Sequence, residues 1–341
     1  MRRGLNPNKD KLLETSEFFH QVVIPLYIPN QKNYFRESLD IFKRSLESLF
    51  KTCHSQTFFT IVNNGSSDEV KIYLEELFSD GKIQEVIHTT GIGKLNSIIK
   101  GISGHQFPYI TIADADVLFL NGWQKSTYQV FVNFPKSGVV GLTPQFKQFE
   151  HKCGHPLFEN LFSEKMKFTD VQDEFALKHF YRSLGWKDDY NPDFLKKNLT
   201  ISSGNCRAII GNGHYVATYK GGLFTDIPKY FNVKMGSGSE GFLDNIPLLY
   251  GMWRLTTEKN YAYHMGNILE GWMEEEILNL RLEKISEVES PEFPNHGRLK
   301  KISGLENFII NKAFMKIFKI PLMRKMFYRY KGLPGKMVKS F

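Results

Sequence analysis

Cysteine is scarce in this sequence: Cys53, Cys153 and Cys206 lie far apart among 341 residues. A disulfide framework needs more of them, so none is expected, and a reducing compartment is. Long apolar runs are also missing; none approaches the roughly 18–20 residues that a membrane-crossing helix needs. The opening stretch, residues 1–7, is basic with no apolar segment behind it, so no secretory signal is expected. A Gly-x-Ser-x-Gly elbow is absent. So is a phosphate-cradling Gly-x-x-x-x-Gly-Lys-Ser/Thr loop, since Gly91-Ile92-Gly93-Lys94 has the wrong spacing. His151-Lys152-Cys153-Gly154-His155 crowds zinc-ligand types together, but no second cluster completes a four-ligand site. Repeats and low-complexity tracts are lacking too. The expectation is a cytoplasmic globular protein.

Acid is nearly absent from one region. Residues 298–341 hold 12 Lys and Arg against a single acid, Glu306, an excess of eleven positive charges. The other 297 residues hold 32 basic and 35 acidic side chains, a deficit of three within the overall +8. The basic excess is therefore confined to the tail, and no nucleic-acid partner is expected. Phe308, Ile309, Ile310, Phe314, Ile317, Phe318, Met326 and Phe327 interleave with the basic residues there, and Pro321 interrupts any single long helix. Such segments bind anionic membrane surfaces. The tail is expected to be a separate helical unit placing the protein peripherally on the inner face of the cell membrane.

What is present elsewhere is an alternation. Gln21 to Tyr27, Phe58 to Val62, Gln84 to His88 and Tyr109 to Ala113 are short apolar runs that read as buried strands. Between them lie amphipathic helices: Tyr34 to Cys53, one opened by a Ser66/Glu69 capping box, and Gly93 to Ile102. Strands alternating with helices imply a doubly wound, mostly parallel, Rossmann-like α/β sheet. Ligands of such sheets bind beyond the carboxyl ends of the strands. Those ends carry Tyr27, Asn63 and Asn64, and Asp114 and Asp116. Two carboxylates two residues apart at a strand end can share Mg²⁺ or Mn²⁺, which favour oxygen ligands and keep places for substrate phosphates.

Four segments in order resemble the nucleotide-sugar domain of the GT-A fold, in particular family 2 glycosyltransferases. They are Pro25-Leu26-Tyr27, Asn63-Asn64-Gly65-Ser66-Ser67-Asp68, Gly91-Ile92-Gly93-Lys94-Leu95-Asn96 and Asp114-Ala115-Asp116. The resemblance implies that Pro25, Tyr27, Asn63 and Asn64 bind the donor's base and ribose. Lys94 would approach the base or the diphosphate, Asp114 the ribose, sugar or metal, and Asp116 the metal. The family's acids at the second strand end are Asn here. An amide both donates and accepts, which puts the usual uridine preference in question.

Further on, Gly221-Gly222-Leu223-Phe224 and Glu240-Gly241-Phe242-Leu243-Asp244 resemble the family's Gly-Gly-Phe segment and acidic motif. There a Glu-Asp pair opens a helix and the Asp serves as base. Asp244 is the candidate, with Glu240 in reserve, although Leu243 stands where the family has an acid. His264, ending the short strand Tyr261–Tyr263, matches a further metal ligand of GT-A enzymes. The expected protein is an inverting, Mn²⁺- or Mg²⁺-dependent glycosyltransferase moving a sugar from a nucleotide-diphosphate donor to a glycan or lipid-linked acceptor. Its expected organisation is a donor half, 1–140, an acceptor half, 141–297, and the tail, 298–341. The alternatives are a non-catalytic nucleotide- or sugar-binding module of the same fold, or a sugar nucleotidyltransferase. Nucleotidyltransferases begin with a Gly-rich loop, and residues 25–31 contain no Gly.

Overall fold

The computed structural model describes residues 8–12, 16–234, 237–283 and 299–341, with the side chains of 237–240 left aside. Its first half alternates as the sequence predicts: β1 (His20–Leu26), α1 (Ser38–Thr52), β2 (Thr57–Asn63), α2 (Asp68–Ser79), β3 (Glu85–His88), α3 (Lys94–Ile102) and β4 (Tyr109–Ala113). The helix expected from Tyr34 starts later, because Asn33–Phe35 forms a 3-10 turn first. The expected capping box is not formed. Ser67 is the N-cap of α2, and the Ser66 hydroxyl instead accepts from the Ile28 N–H at 2.9 Å, tying the loop after β1 to the end of β2.

β1 pairs in parallel with β2 and with β4, and β2 pairs in parallel with β3. The chain steps outward from β1 to β3, and α3 then carries it back to the other side of β1. At that reversal the ends of β1 and β4 open a crevice, the ligand position of such sheets. Both faces are covered. Val22, Ile24 and Leu26 pack with Leu39, Phe42 and Leu46 of α1 and Leu74 of α2. Val23 points the other way, against Leu95, Ile98 and Ile102 of α3. Burial on both sides explains why β1 reads as an unbroken apolar run. Each such buried side chain contributes roughly 1.5–3 kcal/mol.

The chain continues through β5 (Val117–Phe119), α4 (Trp123–Asn133), β6 (Ser137–Gly141), α5 (Gly154–Glu159), β7 (Met166–Asp170), α6 (Glu174–Ser183), β8 (Lys197–Ser203) and β9 (Cys206–Ile210). Then come β10 (Val216–Lys220), α7 (Ser237–Leu249), β11 (Trp253–Thr257), β12 (Ala262–His264) and α8 (Gly271–Asn279). β10 inserts antiparallel between β4 and β6, β11 runs parallel to β6, and β9, β8 and β7 extend the sheet antiparallel. The result is one sheet of ten strands, β3-β2-β1-β4-β10-β6-β11-β9-β8-β7. β5 and β12 form a second, two-stranded sheet. Leu142, Leu177, Phe180 and Tyr215 share a core with α1 and α2, so residues on either side of 140 pack as one body.

The tail comprises α9 (Gly304–Asn307), a π-helical stretch Phe308–Phe314, α10 (Met315–Phe318) and α11 (Pro321–Tyr330). It is not the separate unit expected. Met315, Phe318, Phe327, Tyr328, Leu333, Val338 and Phe341 are buried with Phe168 of β7 and Leu199 of β8. The Tyr328 hydroxyl bonds the Glu150 carboxylate, and Arg324 lies 3.4 Å from the same group. Buried Lys331 donates to the carbonyls of Asn160 at 3.0 Å and Ser163 at 2.8 Å, and burial lowers its pKa. Burial of these aromatic rings holds the tail on the body. Pro321 opens α11, where its missing N–H is an orphan in any case. The other face stays exposed: Leu305, Phe308, Ile317, Leu322, Met326 and Tyr330, among Lys312, Lys316, Lys319, Lys325 and Arg329. Arg298 lies outside the described residues. Among the described residues, no helix is long and apolar enough to cross a membrane.

Candidate active site

A cavity of about 600 Å³ lies at the carboxyl ends of β1, β2 and β4. Its walls include Pro25, Tyr27, Asn64, Lys94, Asp114, Asp116 and His264, all expected from the sequence. A larger cavity of about 1110 Å³ runs along α3 to residues 221–230, but no carboxylate lines it. The smaller cavity is the candidate site, because it gathers charged groups of both signs at the sheet's reversal point.

Asp114 follows β4 directly, and its N–H is held by the Tyr215 carbonyl at 2.8 Å. Its carboxylate pairs with Lys94 Nζ at 2.6 Å. Two residues on, Asp116 Oδ2 stands 3.4 Å from His264 Nε2. The antiparallel pairing of β12 with β5 sets that meeting, with His264 opposite Val117 and the Met265 N–H on the Asp116 carbonyl at 2.8 Å. His264 Nδ1 faces the Ser183 hydroxyl at 3.0 Å, which turns Nε2 toward the cavity. Burial lifts the Asp116 carboxyl above its ordinary range; His264 opposes the rise and Asp114 adds to it.

An oxygen from Asp116 and a nitrogen from His264 fit a divalent cation that brings water and phosphate oxygens as its other ligands. Among the described residues, no group of three His, Cys, Asp or Glu side chains could hold a metal by itself.

The cavity's other wall depends on glycine. Gly93 has φ +92°, and a Cβ there would meet the Lys234 backbone at 2.9 Å. That close approach lets the Lys94 N–H donate to the Lys234 carbonyl at 3.1 Å. Asn96 clamps the same segment: its Nδ2 donates to the Phe231 carbonyl at 2.7 Å and its Oδ1 accepts from the Phe231 N–H at 2.8 Å. Tyr27 is half exposed and meets Phe35 edge-on with centroids 5.8 Å apart.

Two expected residues do not line this cavity. Asn63 ends β2 and, by strand alternation, points away from the side its neighbour Asn64 takes. Its Oδ1 accepts from the Ser66 N–H at 2.9 Å and its Nδ2 lies 2.8 Å from His88 Nδ1. Asp244 does not open a helix as expected, because α7 begins at Ser237 and holds Asp244 mid-way. Its carboxylate receives Arg254 Nη2 at 2.7 Å and Lys152 Nζ at 3.5 Å, and His214 Nδ1 lies 3.9 Å away. Arg254 is buried and also bonds the Asn212 side chain at 2.9 Å and the Asn212 carbonyl at 2.7 Å. The Glu240 side chain lies outside the described residues.

Sequence reasoning missed Ser183, Asn96 as a clamp, Arg254 and His214. Only Arg254 left a signal: a charge inside the apolar strand Trp253–Thr257 demands a buried partner.

A sheet that reverses at β1 and β4, with an acidic pair at the reversal, is the arrangement that the resemblance to the GT-A fold implies. Residues 26–191, just short of half the chain, match the family described as glycosyl transferase family 2. Solved structures give distant likenesses. Staphylococcus aureus TarS is 13% identical over 76% of this chain and 38% of its own, with a TM-score of 0.42. TarS residues 1–349 are 12% identical over 94% of this chain and 88% of that one, with a TM-score of 0.45. Mannosyltransferase PcManGT from Pyrobaculum calidifontis, solved with GDP-Man and Mn²⁺, is 13% identical over 70% of this chain and 54% of its own, with a TM-score of 0.40. The chain thus spans less than two thirds of the first TarS chain and of the PcManGT chain. No curated protein matches the sequence.

Proposed function

We propose that the protein moves a sugar from a nucleotide-diphosphate donor to a glycan or lipid-linked acceptor, with inversion at the anomeric carbon and with Mn²⁺ or Mg²⁺. The observation that carries this reading is the meeting of Lys94, Asp114, Asp116 and His264 in one cavity at the sheet's reversal point. Asp116 and His264 would hold the cation, with Asp114 beside them. When bound, it would neutralise the charge of the diphosphate leaving group. Pro25, Tyr27 and Asn64 hold the base and ribose, and Lys94 steers the diphosphate while keeping Asp114 in place.

Asp244 receives the proton of the acceptor hydroxyl as that oxygen bonds the anomeric carbon and the sugar–phosphate bond breaks. Arg254 and Lys152 hold its carboxylate in place. Residues 1–140 then serve the donor, 141–297 the acceptor, and 298–341 an anionic membrane surface on the cytoplasmic side. The exposed apolar and basic side chains of the tail support the last role.

The test is release of nucleoside diphosphate from a panel of nucleotide sugars with Mn²⁺, for wild type and Asp116→Asn. Release by wild type that chelator and Asp116→Asn both abolish supports the reading. Equal release by both proteins, or none from any donor, contradicts it.

A further inference from the structure

Among the described residues the Asn64 amide is held through its oxygen, which leaves its donor edge for a ligand. The Gly93 N–H lies 3.2 Å from the Asn64 side chain. An N–H can only donate, so the atom facing it is Oδ1. The Thr89 hydroxyl, 3.4 Å away, approaches the same oxygen. Both partners turn Oδ1 into the protein, and both belong to the stretch from β3 to α3 that packs on the end of β2. Asn64 lines the cavity, and with Oδ1 taken by Gly93 and Thr89 its Nδ2 amino group is what remains for a ligand. Beside it, Pro25 and the exposed ring of Tyr27 make the uncharged stretch of wall, while Lys94, Asp114, Asp116 and His264 supply the charged part. A base fits the former and a diphosphate the latter.

Nucleobases differ at the ring nitrogen of the Watson–Crick edge. In uracil and thymine (N3) and in guanine (N1) that atom carries a hydrogen. In cytosine (N3) and adenine (N1) it is a bare acceptor. An amino group facing an N–H leaves two donors opposed, and an unpaired buried donor costs enough to lower affinity about tenfold or more. We propose that Asn64 selects a donor whose base presents an acceptor ring nitrogen, cytosine or adenine, over uracil, thymine and guanine. The proposal rests on the donor-site reading above.

The experiment is titration calorimetry with Mn²⁺ and CDP, ADP, UDP, GDP or dTDP, on wild type and Asn64→Asp. The variant keeps an oxygen for the Gly93 N–H and puts a second acceptor where the amino group stood. Wild type is expected to bind CDP or ADP at least tenfold tighter than the other three, and the two arms tell pyrimidine from purine. Asn64→Asp is expected to shift the ratio toward UDP or GDP by tenfold or more. UDP, GDP or dTDP binding tightest to wild type overturns the proposal and leaves the glycosyltransferase reading standing. A preference for CDP or ADP that survives Asn64→Asp unchanged removes Asn64 as the selector and overturns it too. Binding of none of the five overturns the donor site itself and the proposal with it.

Discussion

His264 Nε2 stands 3.4 Å from Asp116 Oδ2, and the Ser183 hydroxyl, 3.0 Å from Nδ1, fixes which nitrogen faces the carboxylate. Groups that orient a metal-binding histidine through its other nitrogen typically affect metal affinity about 10–100-fold. Ser183→Ala is expected to raise the Mn²⁺ concentration for half-maximal donor turnover by about tenfold, with little change at saturating Mn²⁺. An Mn²⁺ titration checks this. An unchanged half-maximal concentration would mean that His264 does not touch the cation.

Arg254 and Asp244 form a pair whose loss separates architecture from chemistry. Arg254→Met strands the Asp244 carboxylate with Lys152, and breaking a buried pair from one side costs about 3–5 kcal/mol. Chemical denaturation measures it. Asp244→Asn keeps the shape and removes the proton acceptor. It is expected to bind the nucleotide as wild type does while losing transfer to an acceptor by about a hundredfold or more. Full transfer by Asp244→Asn would assign Asp244 to structure alone.

The core carries a pH response. Burial lowers the His54 pKa from 6.5 to about 4, and burial together with His54 pushes His20 well below its ordinary value. Their rings are tied to Tyr128, at 2.8 Å from His54 Nε2 and 2.5 Å from His20 Nδ1. Both are neutral in the fold, whereas in the unfolded chain they titrate near 6.5. Above pH 6.5 neither state takes a proton and stability is unaffected. Below it the unfolded chain binds protons that the fold refuses, so stability falls as pH drops from about 6.5 to 4. His54 alone accounts for a loss on the order of 3 kcal/mol by the end of that window. Urea unfolding at pH 7 and pH 4.5 is expected to show the loss, with a shallower slope for His54→Asn. Parallel slopes for the two proteins would contradict this assignment.

The tail has one packed face and one exposed face, and the exposed one can be changed without touching the core. Leu322 and Met326 stand free among Lys319, Lys325 and Arg329. Leu322→Asp with Met326→Asp is expected to abolish co-flotation with vesicles containing anionic lipid while leaving the melting temperature within a few degrees. Wild type is expected to ignore neutral vesicles and to be released by salt. Wild type failing to float with anionic vesicles at low salt would remove the membrane role.

The first half of the chain was legible because its physics is local. Val22-Val23-Ile24 and Ile110-Thr111-Ile112 are strands buried on two faces, and the helices between them carry apolar stripes at helical spacing. The cluster at the strand ends followed from that rhythm. Long-range choices were not legible. Ser66 had two suitors, the first turn of α2 and the loop after β1, and the loop holds its hydroxyl. Asn63 and Asn64 look alike in sequence, yet strand alternation sends one to His88 and the other to the cavity. The tail's charge pattern was plain, but which of its rings would be buried depended on β7 and β8, far away in the chain. Ser183 left no trace, because its use depends on where α6 ends in space.

The most direct test is a thermal-shift measurement with nucleoside diphosphates and Mn²⁺ on wild type and Asp116→Ala. A ligand that binds the fold at about 100 times its dissociation constant stabilises it by roughly 2.7 kcal/mol. The account predicts an Mn²⁺-dependent rise in melting temperature for at least one diphosphate with wild type, and none with Asp116→Ala. A rise that needs no Mn²⁺, or that persists in Asp116→Ala, would contradict the claim that this strand end holds a metal-bound donor.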